Sequence, residues 1–312
     1  MDPICHTLVG ASLGATGLER RTRYGRATLI IAANLPDIDG LSYFWGVAAY
    51  AFRRGVTHGI PAILVLSVLL AVLMRALAQR RSVSGVDPDV SFRWLLILSV
   101  IGVASHPALD WLNTYGMRWL MPVVDRWFYG DTLFIIDWVV WVILIGGLIA
   151  SRRVDRAKLR WFRQPACLAL VLMMTYVGTN VVVTQVAEQT VLQFTQDRPP
   201  QRLMASPVPL NPFQRAIVLD YESEYRFATV SFGLRPRLEW ENEAIPKGDP
   251  STLARARRLP EGRWFLHWAR FPYSVVDESG DGTTVTLADA RYVREIDDSI
   301  RNFGFVVLEL DE

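Results

Sequence analysis

Three of the four histidines in this 312-residue chain stand beside acidic or turn-forming residues at the borders of apolar segments. His6 lies in MDPICHTLVG, His58 in RRGVTHGI and His106 in SHPALDWLNTYG; between the first two comes NLPDID, with Asp37 and Asp39. Imidazole and carboxylate are ordinary ligands of Zn²⁺ and similar divalent ions. An ionisable side chain at membrane depth is expensive and marks a working site. These residues predict a metal site between membrane helices.

His106 and Asp110 are four apart, so on a helix both side chains leave one face. That spacing suits two ligands of one ion, or a ligand and the carboxylate that orients it. A helix-terminal histidine bonded to a neighbouring aspartate has the same spacing, and only the company of His6, Asp37, Asp39 and His58 favours the metal. Asp37 and Asp39 flank Ile38 after Pro36, where two carboxylates can bend toward one ion or face water. Asp39 or Asp110 is the expected general base. Asp131, Asp137 and Asn113 are expected behind the ligands; Asp137, within the apolar run LFIIDWVVW, must find a partner because an unpaired buried carboxylate costs several kcal/mol. His267, among aromatic residues in RWFLHWARFPY, reads as packing or surface.

The elements that must position these groups are membrane helices. A hydrocarbon core of about 30 Å needs about 20 apolar residues. Residues 56–78, 94–113, 132–150 and 165–186 read as spans. Residues 27–50 read as a helix ending in a loop at NLPDIDG, and 5–18 as a short partial helix. Arg-rich loops stay cytoplasmic, which puts 19–26, 79–93 and 151–164 inside, with Arg53 and Arg54 as the dissent. Every candidate ligand then falls at the outer level of the membrane.

Hydrophobic residues make up 51% of the chain. Residues 1–186 carry 18 Lys+Arg and 11 Asp+Glu, and residues 187–312 carry 15 and 20. A basic membrane half is thus joined to a mildly acidic second half. Cys5 and Cys167 sit in apolar surroundings and read as buried small hydrophobes rather than a disulfide. The start of the chain lacks the basic residues of a signal peptide. Five prolines from Pro199 to Pro212 read as a linker. Strands are expected at Gln214–Tyr221, Tyr225–Phe232, Ser274–Val276, Thr283–Leu287 and Phe303–Leu310, with a turn at ESGDG and a helical stretch near 251–258.

MDPICHTLVGASLG, NLPDID, RRGVTHG, SHPALDWLNTYG and FYGDTLFIIDW resemble the motifs of the YdjM-like family of bacterial inner-membrane proteins, described as metal-dependent hydrolases. The resemblance covers residues 1–150. Through that family it extends distantly to zinc-dependent phospholipase C and nuclease P1, helical enzymes that cleave phosphoesters with clustered zinc. It implies His6, Asp37, Asp39, His58, His106 and Asp110 as the site. It does not carry over those enzymes' N-terminal amine ligand, and Trp138 stands where relatives are expected to have Pro.

The fold expected is an α-helical polytopic membrane domain, residues 1–186, with a C-terminal β-rich (α+β) extramembrane domain, residues 187–312, in the periplasm. The function expected is a membrane-bound hydrolase using a divalent metal, Zn²⁺, on a phosphoester or lipid headgroup at the outer face of the inner membrane. The alternative is a non-enzymatic, metal-stabilised scaffold or sensor; an ion transporter is weakened because all ligands lie at one face. The expected partners are the lipid bilayer and a small-molecule or lipid substrate, with no nucleic acid. Residues 187–312 are expected to be dispensable for metal binding but not for function.

Overall fold

A computed structural model describes residues 1–45, 49–81, 89–153, 164–277, 283–295 and 303–310. The arginine-rich stretch 154–163, much of the 79–93 loop and the ESGDG turn lie outside the described residues. The chain divides into two compact units. The first comprises Met1–Leu41 and Arg54–Val183, and the second Ser42–Arg53 and Thr184–Glu312.

In the first unit, α1 (Pro3–Ala15), α2 (Gly25–Asn34), α4 (Ile60–Arg81), α5 (Phe92–Trp111), α6 (Trp138–Arg153) and the start of α7 (Pro165–Phe194) are helical. α3 (Ala49–Phe52) belongs to the second unit. α1 packs on α2 and α6, and α2 and α4 pack on α5. Asp2 caps α1 by accepting from Ile4 N–H and Cys5 N–H, with Pro3 in the first turn where its missing donor is harmless. Ser91 caps α5. One buried cluster joins Cys5, Val9, Leu109, Leu144 and Met173; a second joins Ala32, Leu70, Met74, Leu95 and Val103.

Three described helices are long and apolar enough to cross a membrane: α4, α5 and α7. Along α4, Leu64, Val65, Val68, Leu69 and Val72 face outward, which is the pattern of a lipid-facing surface. The expected span 132–150 is corrected. Residues 132–137 are not helical, and α6 runs 16 residues from Trp138, roughly 24 Å. Its start is set by Asp137, whose Oδ1 accepts from Val139 N–H and Val140 N–H. Both cysteines are free and buried.

The second unit holds a four-stranded antiparallel sheet and a three-stranded one. The first runs β1 (Arg202–Val208), β2 (Asn211–Asp220), β3 (Glu224–Phe232), β4 (Pro236–Pro246); the second runs β5 (Pro272–Asp277), β6 (Thr283–Asp289), β7 (Phe305–Leu310). α8 (Pro250–Ala256) and α9 (Pro260–Trp268) lie between them in sequence. The prolines of 199–212 do not form a linker. Pro207 sits at a register shift, Pro209 in the β1–β2 turn and Pro212 at the start of β2, positions where a missing N–H is tolerated. α7 runs on past residue 186 to Phe194, and its Ala187 and Val191 join the core of the first sheet with Ala205, Ile217, Leu219 and Val230.

Candidate metal centre

Four segments of the first unit deliver the expected ligands. α1 brings His6, α5 brings His106 and Asp110 one turn apart, and 3₁₀ turns bring the rest: Asp37 and Asp39 in Leu35–Trp45, His58 in Val56–His58. Close helix contact depends on small residues. A Cβ on Gly102 of α5 would meet Ala32 Cβ at 2.5 Å, and one on Gly10 of α1 would meet Leu29 O at 2.8 Å.

The histidine tautomers follow from their partners. His106 Nδ1 lies 2.7 Å from Ala33 O, a pure acceptor, so Nδ1 carries the proton and Nε2 is a bare lone pair. His58 Nδ1 lies 3.2 Å from Asp39 Oδ2 and 2.9 Å from the Thr57 hydroxyl, which itself donates to Asp39; its Nε2 is bare by the same logic. These two Nε2 atoms face each other at 3.1 Å. Two lone pairs at that distance repel unless a cation lies between them.

Carboxylates complete the set. Asp37 Oδ1 lies 3.9 Å from His58 Nε2 and 3.7 Å from His106 Nε2; Asp110 Oδ2 lies 3.6 Å and 3.7 Å from the same two atoms. Ligands at ~2.1 Å around a tetrahedral ion are about 3.4 Å apart, so these separations fit a divalent ion. His6 stacks on His106 with ring centroids 3.7 Å apart and puts its Nε2 3.2 Å from Asp110 Oδ1. Two overlapping groups can therefore hold metal, His6–His106–Asp110 and Asp37–His58–His106.

Asp39 is placed differently from Asp37. Its Oδ2 accepts from Arg54 N–H, the Thr57 hydroxyl and His58 Nδ1, behind the histidine rather than on the side of Nε2. Asn113 Oδ1 accepts from Arg54 Nη1 at 2.8 Å and from Tyr115 N–H. Asp137, besides capping α6, accepts from the Tyr176 hydroxyl. Asp131 holds a left-handed backbone at φ 49. His267 is exposed on α9, in the second unit.

Two contributors go beyond the sequence reading. Arg54, read there as an outward charge against the membrane bias, is 3% exposed. Its Nε donates to Asp110 Oδ2 at 2.8 Å, Nη1 reaches Gly116 O, and the guanidinium lies over the Tyr115 ring. It is paired rather than solvated, so charge bias does not govern it. The amino group of Met1 ion-pairs with Asp110 inside the same cluster. The one sequence signal for Arg54 was its place four residues before a candidate ligand, His58.

A family model described as YdjM inner membrane protein matches residues 1–187. The uncharacterized protein YfhP of Bacillus subtilis (strain 168) is 26% identical over 136 residues, 41% of this chain and 39% of that protein's length. The match thus spans well under two thirds of that relative. No solved structure matches the chain.

Proposed function

Because this chain belongs to the YdjM inner membrane protein family, we propose that it is a membrane-bound, metal-dependent hydrolase acting on a phosphoester or lipid headgroup at the outer face of that membrane. The observation behind this reading is the pair of facing imidazole nitrogens, His58 Nε2 and His106 Nε2, 3.1 Å apart, with Asp37 and Asp110 around them. Three histidines and two carboxylates are a donor set that suits Zn²⁺.

A divalent ion supplies Lewis-acid polarisation and lowers the pKa of a water it holds toward about 7. The protein's own groups arrange that chemistry. Ala33 O and Asp39 hold the two imidazoles in the tautomer that presents Nε2. Arg54 balances the charge of Asp110 and fixes its second oxygen. Asp37 is 21% exposed, whereas Asp39 and Asp110 are 2% and 1% exposed. Asp37 is therefore the candidate ligand that solvent reaches most readily. The basic stretches 19–26, 79–93 and 151–164 support a cytoplasmic side there and a periplasmic second unit.

One observation favours the other reading, a metal-stabilised scaffold or sensor. His6, His58 and His106 are fully buried, and closed sites are structural more often than catalytic. The two readings separate in one experiment on detergent-purified full-length protein. Metal content is measured beside turnover of bis(p-nitrophenyl) phosphate, wild type against His106→Ala. Metal and turnover lost together support the hydrolase. Metal without turnover in the wild type gives the scaffold, and no metal in the wild type overturns both.

A further inference from the structure

The two ends of the four-stranded sheet differ. Gln214, Ser231 and Arg237 stand in one row beside the β1–β2 and β3–β4 turns, and Asp220, Tyr225 and Ile245 stand in one row at the opposite end. α7 follows the sheet from the first end toward the second. Its Thr184 hydroxyl accepts from buried Arg215 Nε at 3.1 Å, one residue from Gln214. Beyond its C-terminus, Arg198 lies over the Tyr221 ring and reaches Glu224. The span-length apolar helix therefore enters this unit at the end that bears both hairpin turns.

That end exposes large apolar side chains. Leu210 is 70% exposed, Phe213 67% and Leu234 107%. Leu210 holds φ 60, in the left-handed region that leucine rarely adopts. Turns facing water ordinarily take Gly, Asn, Asp or Ser, and the β2–β3 turn at the opposite end conforms, with Glu222 and Ser223 exposed. Behind Leu234, Arg235 and Arg237 are exposed too. Apolar tips backed by arginine are the composition of an interfacial anchor, with side chains in the acyl boundary and guanidinium groups among phosphates.

We infer that the β1–β2 and β3–β4 turns form a lipid-surface anchor. Leu210, Phe213 and Leu234 enter the interface of the bilayer that α7 crosses, and Arg235 meets its phosphates. The bilayer is the occupant because the membrane-crossing helix itself delivers this end of the sheet to the lipid surface. The anchor is independent of any hydrolytic activity.

The test uses full-length protein in vesicles of phosphatidylethanolamine and phosphatidylglycerol. With Cys5 and Cys167 replaced by Ser, a single cysteine at Phe213→Cys, Leu234→Cys or Ser223→Cys carries an environment-sensitive fluorophore. At the first two positions, emission should shift to the blue, lose quenching by iodide and gain quenching by dibrominated lipid, while Ser223→Cys shows none of these. Iodide quenching at both tips equal to that at Ser223→Cys would overturn the anchor. So would protection without lipid quenching that disappears on dilution of protein in lipid, which would make a second copy the occupant.

Discussion

The ring of Tyr50 stacks on that of Trp268, centroids 4.5 Å apart and planes 29° from parallel. Phe265 and Phe303 complete the contact, and the Tyr50 hydroxyl accepts from Gly304 N–H. Tyr50 lies between Asp39 and Arg54 in sequence, in the segment Ser42–Arg53 that belongs to the second unit. The chain thus leaves the first unit after Asp37 and Asp39, is built into the β-rich unit, and returns at Arg54.

This pairing leads to the opposite prediction from the expectation that residues 187–312 are dispensable for metal binding. A truncation after Gln185 removes Phe265, Trp268 and Phe303 and leaves the 42–53 segment without its packing. Aromatic pairs contribute about 0.5–1.5 kcal/mol beyond area burial. Both the truncation and Tyr50→Ala should lower metal per mole of folded protein, the truncation more. Unchanged metal in a truncation that inserts stably would show that Asp39 and Arg54 hold their places alone.

Metal content should depend on the buried histidines and not on the exposed one. His58→Ala and His106→Ala each remove one of the two facing Nε2 atoms, and should purify with most of the metal gone. His267→Ala changes an exposed residue on α9 and should retain all of it. Elemental analysis of the three variants beside wild type decides the matter, and equal metal in all would remove the site.

Arg54 should be required for stability as well as for the site. Its guanidinium neutralises Asp110, which is 1% exposed. Removing one partner of a buried pair typically costs about 3–5 kcal/mol. Arg54→Ala should therefore lower the thermal midpoint sharply. Arg54→Lys, which keeps the charge but not the fork to Asp110, Asn113 and Gly116, should fall between. A midpoint for Arg54→Ala equal to wild type would mean that Asp110 is balanced by other groups.

Asp39→Asn separates support from ligation. The amide still offers an oxygen to His58 Nδ1–H but loses the carboxylate charge. Supporting residues of this kind change metal affinity by roughly 10–100-fold when altered. Asp39→Asn should weaken metal binding in that range, while Asp37→Asn should weaken it further. Competition titration with a chromophoric chelator measures both, and the reverse order would make Asp39 the ligand.

The buried His/Asp cluster was legible because its chemistry is local: each member stands in a short motif, and His106 and Asp110 share a helix face at fixed spacing. What escaped was tertiary. Arg54 obeys a burial and pairing that no sequence window contains. Asp37 and Asp39 look equivalent in NLPDID, and only the position of His58 makes one a candidate ligand and the other its support. β1 was hidden by prolines that sit at a register shift and at the hairpin rather than in the ladder. β4 shows an almost wholly exposed pattern, with Ile245 its one buried residue, so no alternation marks it. The 16-residue length of α6 follows from the Asp137 cap, an acidic residue in a run otherwise apolar enough to read as a span.

Helix contact, rather than ligand identity, sets the position of His106. Gly102 sits one turn before it on α5, where an added Cβ would meet Ala32 Cβ at 2.5 Å, Leu29 O at 3.0 Å and Ala33 N at 3.2 Å. Ala33 also supplies the carbonyl that fixes the His106 tautomer. Gly102→Ala should push α5 from α2, lengthen that hydrogen bond and lower metal content, although no ligand is changed. Helix propensity alone would favour the alanine by about 1 kcal/mol, so a loss cannot come from the helix itself. Gly146→Ala, on α6 with nothing within 4 Å of its added Cβ, is the control and should keep its metal. Metal analysis of the two variants at matched folded fraction reads the difference. Full metal in Gly102→Ala would show that the α2–α5 contact yields without moving His106.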